Sequence, residues 1–183
     1  MDVGTESPDE GLIECIRVAE VGDANDIAHL MEDCGKRLET LGRWNDWPSP
    51  YPVGYLESTL TSTEYTVLVC TDDRRPACGS VTIRWTKDKY WSNDDHSSAY
   101  LHRLVVAPDC WGRGIGTRLL NAAARIVDSR GRETLRIDFP NQRRDLIRYY
   151  EAKGFVLAGQ YHSDTYSAYL AEAATKDLLR TEE

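Results

Sequence analysis

The stretch Leu104-Val105-Val106-Ala107-Pro108-Asp109-Cys110-Trp111-Gly112-Arg113-Gly114-Ile115-Gly116-Thr117-Arg118-Leu119-Leu120 decides the fold. An apolar strand runs to Val106, a short loop carries Gly112, Gly114 and Gly116, and a helical period begins at once with Leu119, Leu120, Ala123 and Val127 on one face. Glycines permit positive φ and let the backbone approach a ligand closely. The first amides of a helix lack internal partners, and the helix dipole favours an anion there. Together these features make a cradle for a phosphate, to which Arg113 and Arg118 add charge. The spacing G-x-G-x-G is not a P-loop, because no Lys precedes Thr117. Nor is it the dinucleotide fingerprint G-x-G-x-x-G, whose last glycine would fall on Leu119.

Outward from this stretch, the pattern predicts a strand over Leu12–Ala19 and a helix capped by Asp23 or Asn25 and running to about Leu41. An aromatic, proline-rich loop over Gly42–Gly54 and a short helix over Tyr55–Leu60 follow. Strands are predicted over Tyr65–Thr71, Cys78–Trp85 and Ala99–Val106, then a helix over Gly116–Ser129 ended by Gly131. A strand over Thr134–Phe139, a helix over Arg143–Lys153 and strands over Phe155–Tyr161 and Tyr166–Ala171 complete the chain. Residues 1–11 read as a tail and 12–183 as one α/β (α+β) domain, without repeat or linker.

Composition agrees with one domain. The chain has 183 residues against about 150 for a typical domain, and its 41% hydrophobic and 28% charged residues are ordinary for a globular protein. The net charge of −8 argues against a nucleic-acid partner. Its distribution is uneven: Arg103 to Lys153 holds 11 basic and 6 acidic residues, a balance of +5, and the remainder carries −13. An anionic ligand on the central segment fits that partition; the plainer alternative is a solvated arginine-rich surface. The five cysteines are scattered, with no C-x-x-C pair, so neither a zinc site nor a disulfide framework is expected. No apolar run nears the roughly 18 residues that span a bilayer, and no signal peptide is seen, which places the protein in the cytoplasm.

The glycine loop with its Val106-Ala107-Pro108 lead-in resembles the pyrophosphate loop of the Gcn5-related N-acetyltransferases (GNAT superfamily), Gln/Arg-x-x-Gly-x-Gly/Ala. Tyr150-Glu151-Ala152-Lys153-Gly154-Phe155 resembles the same family's Tyr-Glu-Lys-x-Gly-Phe. The resemblance implies a single mixed sheet of six or seven strands flanked by about four helices, with acetyl-CoA or a related acyl-CoA held where two parallel strands splay, those ending at Val106 and Phe139. It assigns the backbone of Leu104, Val105 and Val106 to the pantetheine, the amides of Trp111, Gly112, Arg113, Gly114, Ile115, Gly116 and Thr117 to the pyrophosphate, and Asn141 to the pantetheine arm. The position usually Gln or Arg is Trp111, which leaves the donor open: acetyl-CoA, a longer acyl-CoA or an aminoacyl carrier.

The resemblance puts Tyr150 in the place of the general acid, and a phenol with a pKa near 10 is protonated at neutral pH and can protonate a leaving thiolate. Many members carry a Glu on the strand before the loop; the matching position here is Tyr100. Two residues on, His102 points to the same face and is suited to taking a proton from an ammonium. His162 and Asp164 are the alternative base or acceptor contacts. The resemblance places the acceptor near Arg43–Trp47 and Tyr161–Tyr166, where Trp44, Asp46, Trp47, His162 and Asp164 combine aromatic faces with carboxylates suited to a cationic amine. The expected activity is N-acetylation of a primary amine in a ternary complex; a non-catalytic acyl-CoA-binding module is the competing reading. Family members are often dimers, so a homodimer is a further expectation.

Overall fold

A computed structural model describes residues 15–92 and 96–180. The expected tail over 1–11 and the start of the first strand at Leu12–Glu14 lie outside them. Seven strands form one sheet in the order β1-β2-β3-β4-β5-β7-β6. They are β1 (Cys15–Val18), β2 (Tyr65–Asp72), β3 (Arg75–Arg84), β4 (Ser98–Val106), β5 (Thr134–Pro140), β6 (Val156–His162) and β7 (Ser167–Ala174). The helices are α1 (Ala24–Thr40), α2 (Val53–Thr61), α3 (Ile115–Ser129), α4 (Asp145–Glu151) and α5 (Thr175–Arg180). The expected mixed sheet is present, with one more helix than the roughly four anticipated. Among the described residues, no helix is long and apolar enough to cross a membrane.

The middle of β3, Ala77 to Ile83, is buried throughout. A strand in which neighbouring side chains on opposite faces are both buried is covered on both sides, here with help from α1 and α3, which both pack on β3 and β4. Gly79 allows α3 to approach, since a Cβ there would come within 2.8 Å of Ile115 and 2.9 Å of Leu119. The stripe Leu119, Leu120, Ala123 and Val127 read from the sequence is the buried face of α3. On α1, Ile27, Leu30, Met31, Cys34 and Leu38 are buried likewise. Asp23 does not cap α1 through its side chain. Its carboxylate accepts from the Glu20 amide and pairs with Arg17 at 2.7 Å.

Two backbone irregularities open the sheet. The first lies between Ser80 and Thr82 of β3, which pair with Val105 and His102 of β4, so β4 holds one extra residue there. This bulge centres on Arg103, whose φ of 53° is left-handed. The second is the junction of β4 and β5, the one parallel pair in the sheet. Pairing runs from Ser98↔Thr134 to Leu101↔Ile137 and stops. Beyond it β4 stays with β3 as far as Gly79↔Val106, while β5 follows β7 to Pro140↔Ala168. The two strands ending at Val106 and Pro140 therefore part company at their C-terminal ends, leaving a V-shaped opening at the centre of the sheet.

Candidate active site

A cleft of about 1020 Å³ fills this opening. One wall is the end of β4, Leu104 to Val106, continuing into the glycine loop and the first turn of α3. Gly112 and Gly114 have φ of 81° and 75°, as their residue type anticipates. The loop is pinned from behind, because Arg75 bridges Asp33 of α1 at 2.9 Å and Asp109 at 2.7 Å. Gly116 leaves room for the Tyr149 hydroxyl, which would lie 2.5 Å from a Cβ at that position. The start of α3, Ile115 to Thr117, thus lines the cleft with the Tyr149 hydroxyl seated against Gly116.

Two arginines of this loop do not point freely at a ligand. Arg113 Nη1 lies 3.3 Å from Asp72 Oδ2, and Arg118 Nη1 donates to the Arg113 carbonyl at 3.2 Å. The cations lining the cleft are instead Arg43, Arg103, Arg143 and Lys153, of which Arg143 is itself paired with Asp145 at 2.9 Å. Trp111 folds back so that its indole N–H donates to the Val106 carbonyl at 2.7 Å. The Cys34 thiol shares that acceptor at 3.3 Å, and burial pushes its pKa up to about 11. Asn141 does not line the cleft; its main-chain N–H donates to the Ser167 carbonyl, and its buried Oδ1 finds no hydrogen-bond partner among the described residues.

Opposite β4, Tyr150 of α4 stacks on Phe139 with ring centroids 5.3 Å apart and meets Tyr149 and Phe155 edge-on. Burial, with Tyr149 and Asp138 nearby, drives its phenol well above the ordinary value, so it stays protonated at neutral pH. Trp44, Asp46 and Trp47 also line the cleft. Their loop is held by Asn45, which bonds Glu39 and the Trp47 amide, and by Glu32, which accepts from the Tyr51 amide at 2.8 Å. Partial burial raises the Asp46 pKa.

Besides Arg113 and Asn141, three expected site residues fall outside the cleft. Tyr100 is 2% exposed and packs with Trp91 and Leu170 in a small second core. His162 and Asp164 are exposed on the β6–β7 hairpin, where His162 is bonded to Ser167 and Gln160 at 3.1 Å. The residue of that hairpin which does reach the cleft is Tyr166.

His102 lies in the cleft with partners that the sequence reading missed. Its Nε2 is 2.9 Å from Asp88 Oδ2, and its Nδ1 is 3.9 Å from Asp138 Oδ1. Asp138 Oδ2 in turn accepts from the Tyr166 hydroxyl at 3.4 Å. Burial disfavours charge on Asp88, but the nearby His102 ring, the Tyr90 amide and Arg84 outweigh it and hold its pKa below the usual value. Asp138 is the reverse: burial pushes its carboxyl up to about 6 against the pull of His102. A signal for Asp138 existed. Arg136 and Asp138 are two charges on one face of a central strand whose other face is Leu135, Ile137 and Phe139, and buried charge is kept only where it is paired or used.

A family model described as Acetyltransferase (GNAT) family matches residues 25–155. The chain belongs to this family. This GNAT chain also matches an uncharacterised N-acetyltransferase of Methanocaldococcus jannaschii, 37% identical over 57 residues. That match covers 31% of this chain and only a quarter (25%) of the relative's length. Its fold is shared with the PaiA N-acetyltransferase of Thermoplasma acidophilum, solved with coenzyme A (TM-score 0.71, 17% identity, 88% of this chain and 99% of that one). It is shared equally with an aminoglycoside acetyltransferase solved with coenzyme A and kanamycin (TM-score 0.70, 15% identity, 93% of this chain and 100% of that one). The splayed strand pair, the glycine loop and Tyr150 of this GNAT chain thus sit on the fold of acyltransferases.

Proposed function

We propose that this GNAT chain transfers an acetyl group from acetyl-CoA to a primary amine of a small molecule or amino acid derivative, by direct attack in a ternary complex. The observation that carries the reading is the splayed cleft, with glycine-loop amides at one end, a protonated Tyr150 on one wall and carboxylates on the other. Acetyl-CoA supplies the activated thioester when bound. The amides of residues 111–117 hold its pyrophosphate, aided by the positive end of α3 and by the cations Arg143 and Lys153. The end of β4 at Leu104–Val106 holds the pantetheine. Tyr150 keeps a proton at Oη for the departing sulfur. His102 and its carboxylate partners form the basic side of the reaction. Trp44, Asp46 and Trp47 hold the cationic acceptor, as does Tyr166. Coenzyme A and kanamycin in the solved neighbour are in keeping with this reading.

Trp111 favours one variation. Its indole folds back on the Val106 carbonyl and reshapes the entrance beside the glycine loop, so a longer acyl-CoA or an aminoacyl carrier is the second reading of the donor. The exposed edge strand β6, with Val156 and Leu157 64% and 46% exposed, is the surface for the homodimer of this reading. Light scattering on the eluted protein checks its mass.

The test is thiol release from acetyl-CoA against a panel of primary amines, repeated with longer acyl-CoAs. Turnover with at least one amine is expected. Tight binding of acetyl-CoA without turnover on any amine would leave the binding-module reading in its place.

A further inference from the structure

The basic side of the site has an internal order that the resemblance to other acyltransferases does not supply. Asp88 is behind: its side chain is 3% exposed, and it is absent from the lining of the cleft. His102 lies between the two carboxylates, 21% exposed, with Nε2 2.9 Å from Asp88 and Nδ1 3.9 Å from Asp138. Asp138 is beside it at the apex where β5 leaves β4, its side chain 10% exposed, and lines the cleft with Phe139 and Pro140.

We infer that Asp138 takes the proton from the acceptor's ammonium and releases it to water in the cleft, and that His102, held beside Asp88, keeps that carboxylate ionised until the ammonium arrives. Asp138 is then the catalytic residue, and His102 and Asp88 are positioning residues. This rests on the amine-acetylation reading above.

The proton count requires such a group. A primary ammonium carries three N–H hydrogens and the amide product one. Attack forms the C–N bond and breaks the C–S bond, whose electron pair leaves on sulfur. One of the two lost protons ends on that sulfur by way of Tyr150. The other must reach solvent, so the group that accepts it must be ionised when the ammonium arrives and must let it go afterwards. Asp138 meets both needs. Facing it are His102 from β4, Asp88, Lys89 and Tyr90 from the loop after β3, Tyr166 from the β6–β7 hairpin and Tyr150 from α4. Of these His102, Lys89 and the Tyr166 hydroxyl favour the anion; burial and Asp88 oppose it, and the balance leaves the carboxyl half-ionised at about pH 6. At pH 7 it is an anion with a small remaining preference for a proton, and a base that titrates near the working pH is an efficient one.

The experiment uses Asp138→Asn and His102→Gln in the full chain, with acetyl-CoA and the amine that turns over fastest in the screen. The kcat/KM for the amine is followed from pH 5 to 9. The wild-type profile is expected to fall on the acid side with a one-proton slope centred near pH 6. D138N is expected to lose that limb, with a rate at pH 7 about 10²–10³-fold lower. Its rate should then recover with rising pH as the amine deprotonates unaided. H102Q should keep an acid limb, displaced in pH, with a loss of about tenfold. An unchanged limb in D138N overturns the inference, as does loss of the limb in H102Q alone. Carbon-13 titration of aspartate carboxyls in the free protein adds a readout that needs no turnover: one resonance moving near pH 6 should vanish in D138N, and its persistence there also overturns the assignment. An unchanged acetyl-CoA affinity of D138N establishes that the variant is folded. A wild type that acetylates no amine fails the functional reading itself, whereas an active wild type beside an equally active D138N fails only this inference.

Discussion

The two ends of the cleft are built in opposite ways. The glycine-loop end comes chiefly from one continuous segment, Leu104 to Arg118, and its chemistry resides in main-chain amides. The acid–base and acceptor end takes Asp46 from the loop after α1, Asp88 from the loop after β3, His102 from β4, Asp138 from β5, Tyr150 from α4 and Tyr166 from the last hairpin. A main-chain site needs only the right backbone path, which glycines with φ of 81° and 75° set locally. A side-chain site needs six segments brought within reach of one another, and here the bulge at Arg103 and the parting of β4 from β5 do this.

This contrast can be broken or sharpened by experiment. The largest effect is expected from Tyr150→Phe at the side-chain end. Removing the proton donor should lower kcat about 10²–10³-fold and leave acetyl-CoA affinity unchanged by calorimetry. A matching loss of affinity would erase the division between the two ends.

Next is the stability of Asp138→Asn. The native carboxyl titrates near 6 against 3.8 for the free group, so the fold favours its protonated form. Below about pH 4 it is protonated folded or unfolded and nothing is lost; as pH rises through 6 the folded protein must hold a buried charge. That charge should cost about 3 kcal/mol above pH 6. Asn carries no charge, so urea unfolding should find D138N more stable at pH 7.5 and no more stable at pH 4.

At the main-chain end, Gly114→Val forces a side chain into φ of 75°. A loss of about 1–2 kcal/mol in stability is expected, with weaker acetyl-CoA binding and little change in kcat at saturation. The smallest effect is expected from Asp46→Asn at the exposed rim. The KM for a cationic amine should rise about 5–10-fold, with that for acetyl-CoA unmoved, since rim charges act through a solvated field.

Reading the chain alone succeeds where the determinants are local. The period of α3, the turn before it and the Tyr150–Phe155 motif are each set by residues close together in the chain, and all three are where the pattern places them. It falls short where a partner is distant in sequence. Arg113 looks like a phosphate ligand until Asp72 of β2 is seen beside it. Tyr100 shares a face with His102, as alternation requires, yet Trp91 and Leu170 bury it before it can reach the cleft. Asp164 is aromatic-flanked in sequence but exposed, while Tyr166 turns inward. The short helix α5 went unread because six residues directly after a strand give too few turns for a period to show.

The sequence by itself determined most of the strands and helices and the glycine loop at the start of α3, because hydrophobic period and positive φ are properties of contiguous residues; its two motifs carried the resemblance that implied the family and the mixed sheet. Only the tertiary structure decided which charges remain available. It ties Arg113 to Asp72, sets Asp88 behind His102 and leaves Asp138 at the apex of the splay. Charge is a long-range property: its pKa and its partners depend on burial and on neighbours from other strands, which no spacing along the chain encodes.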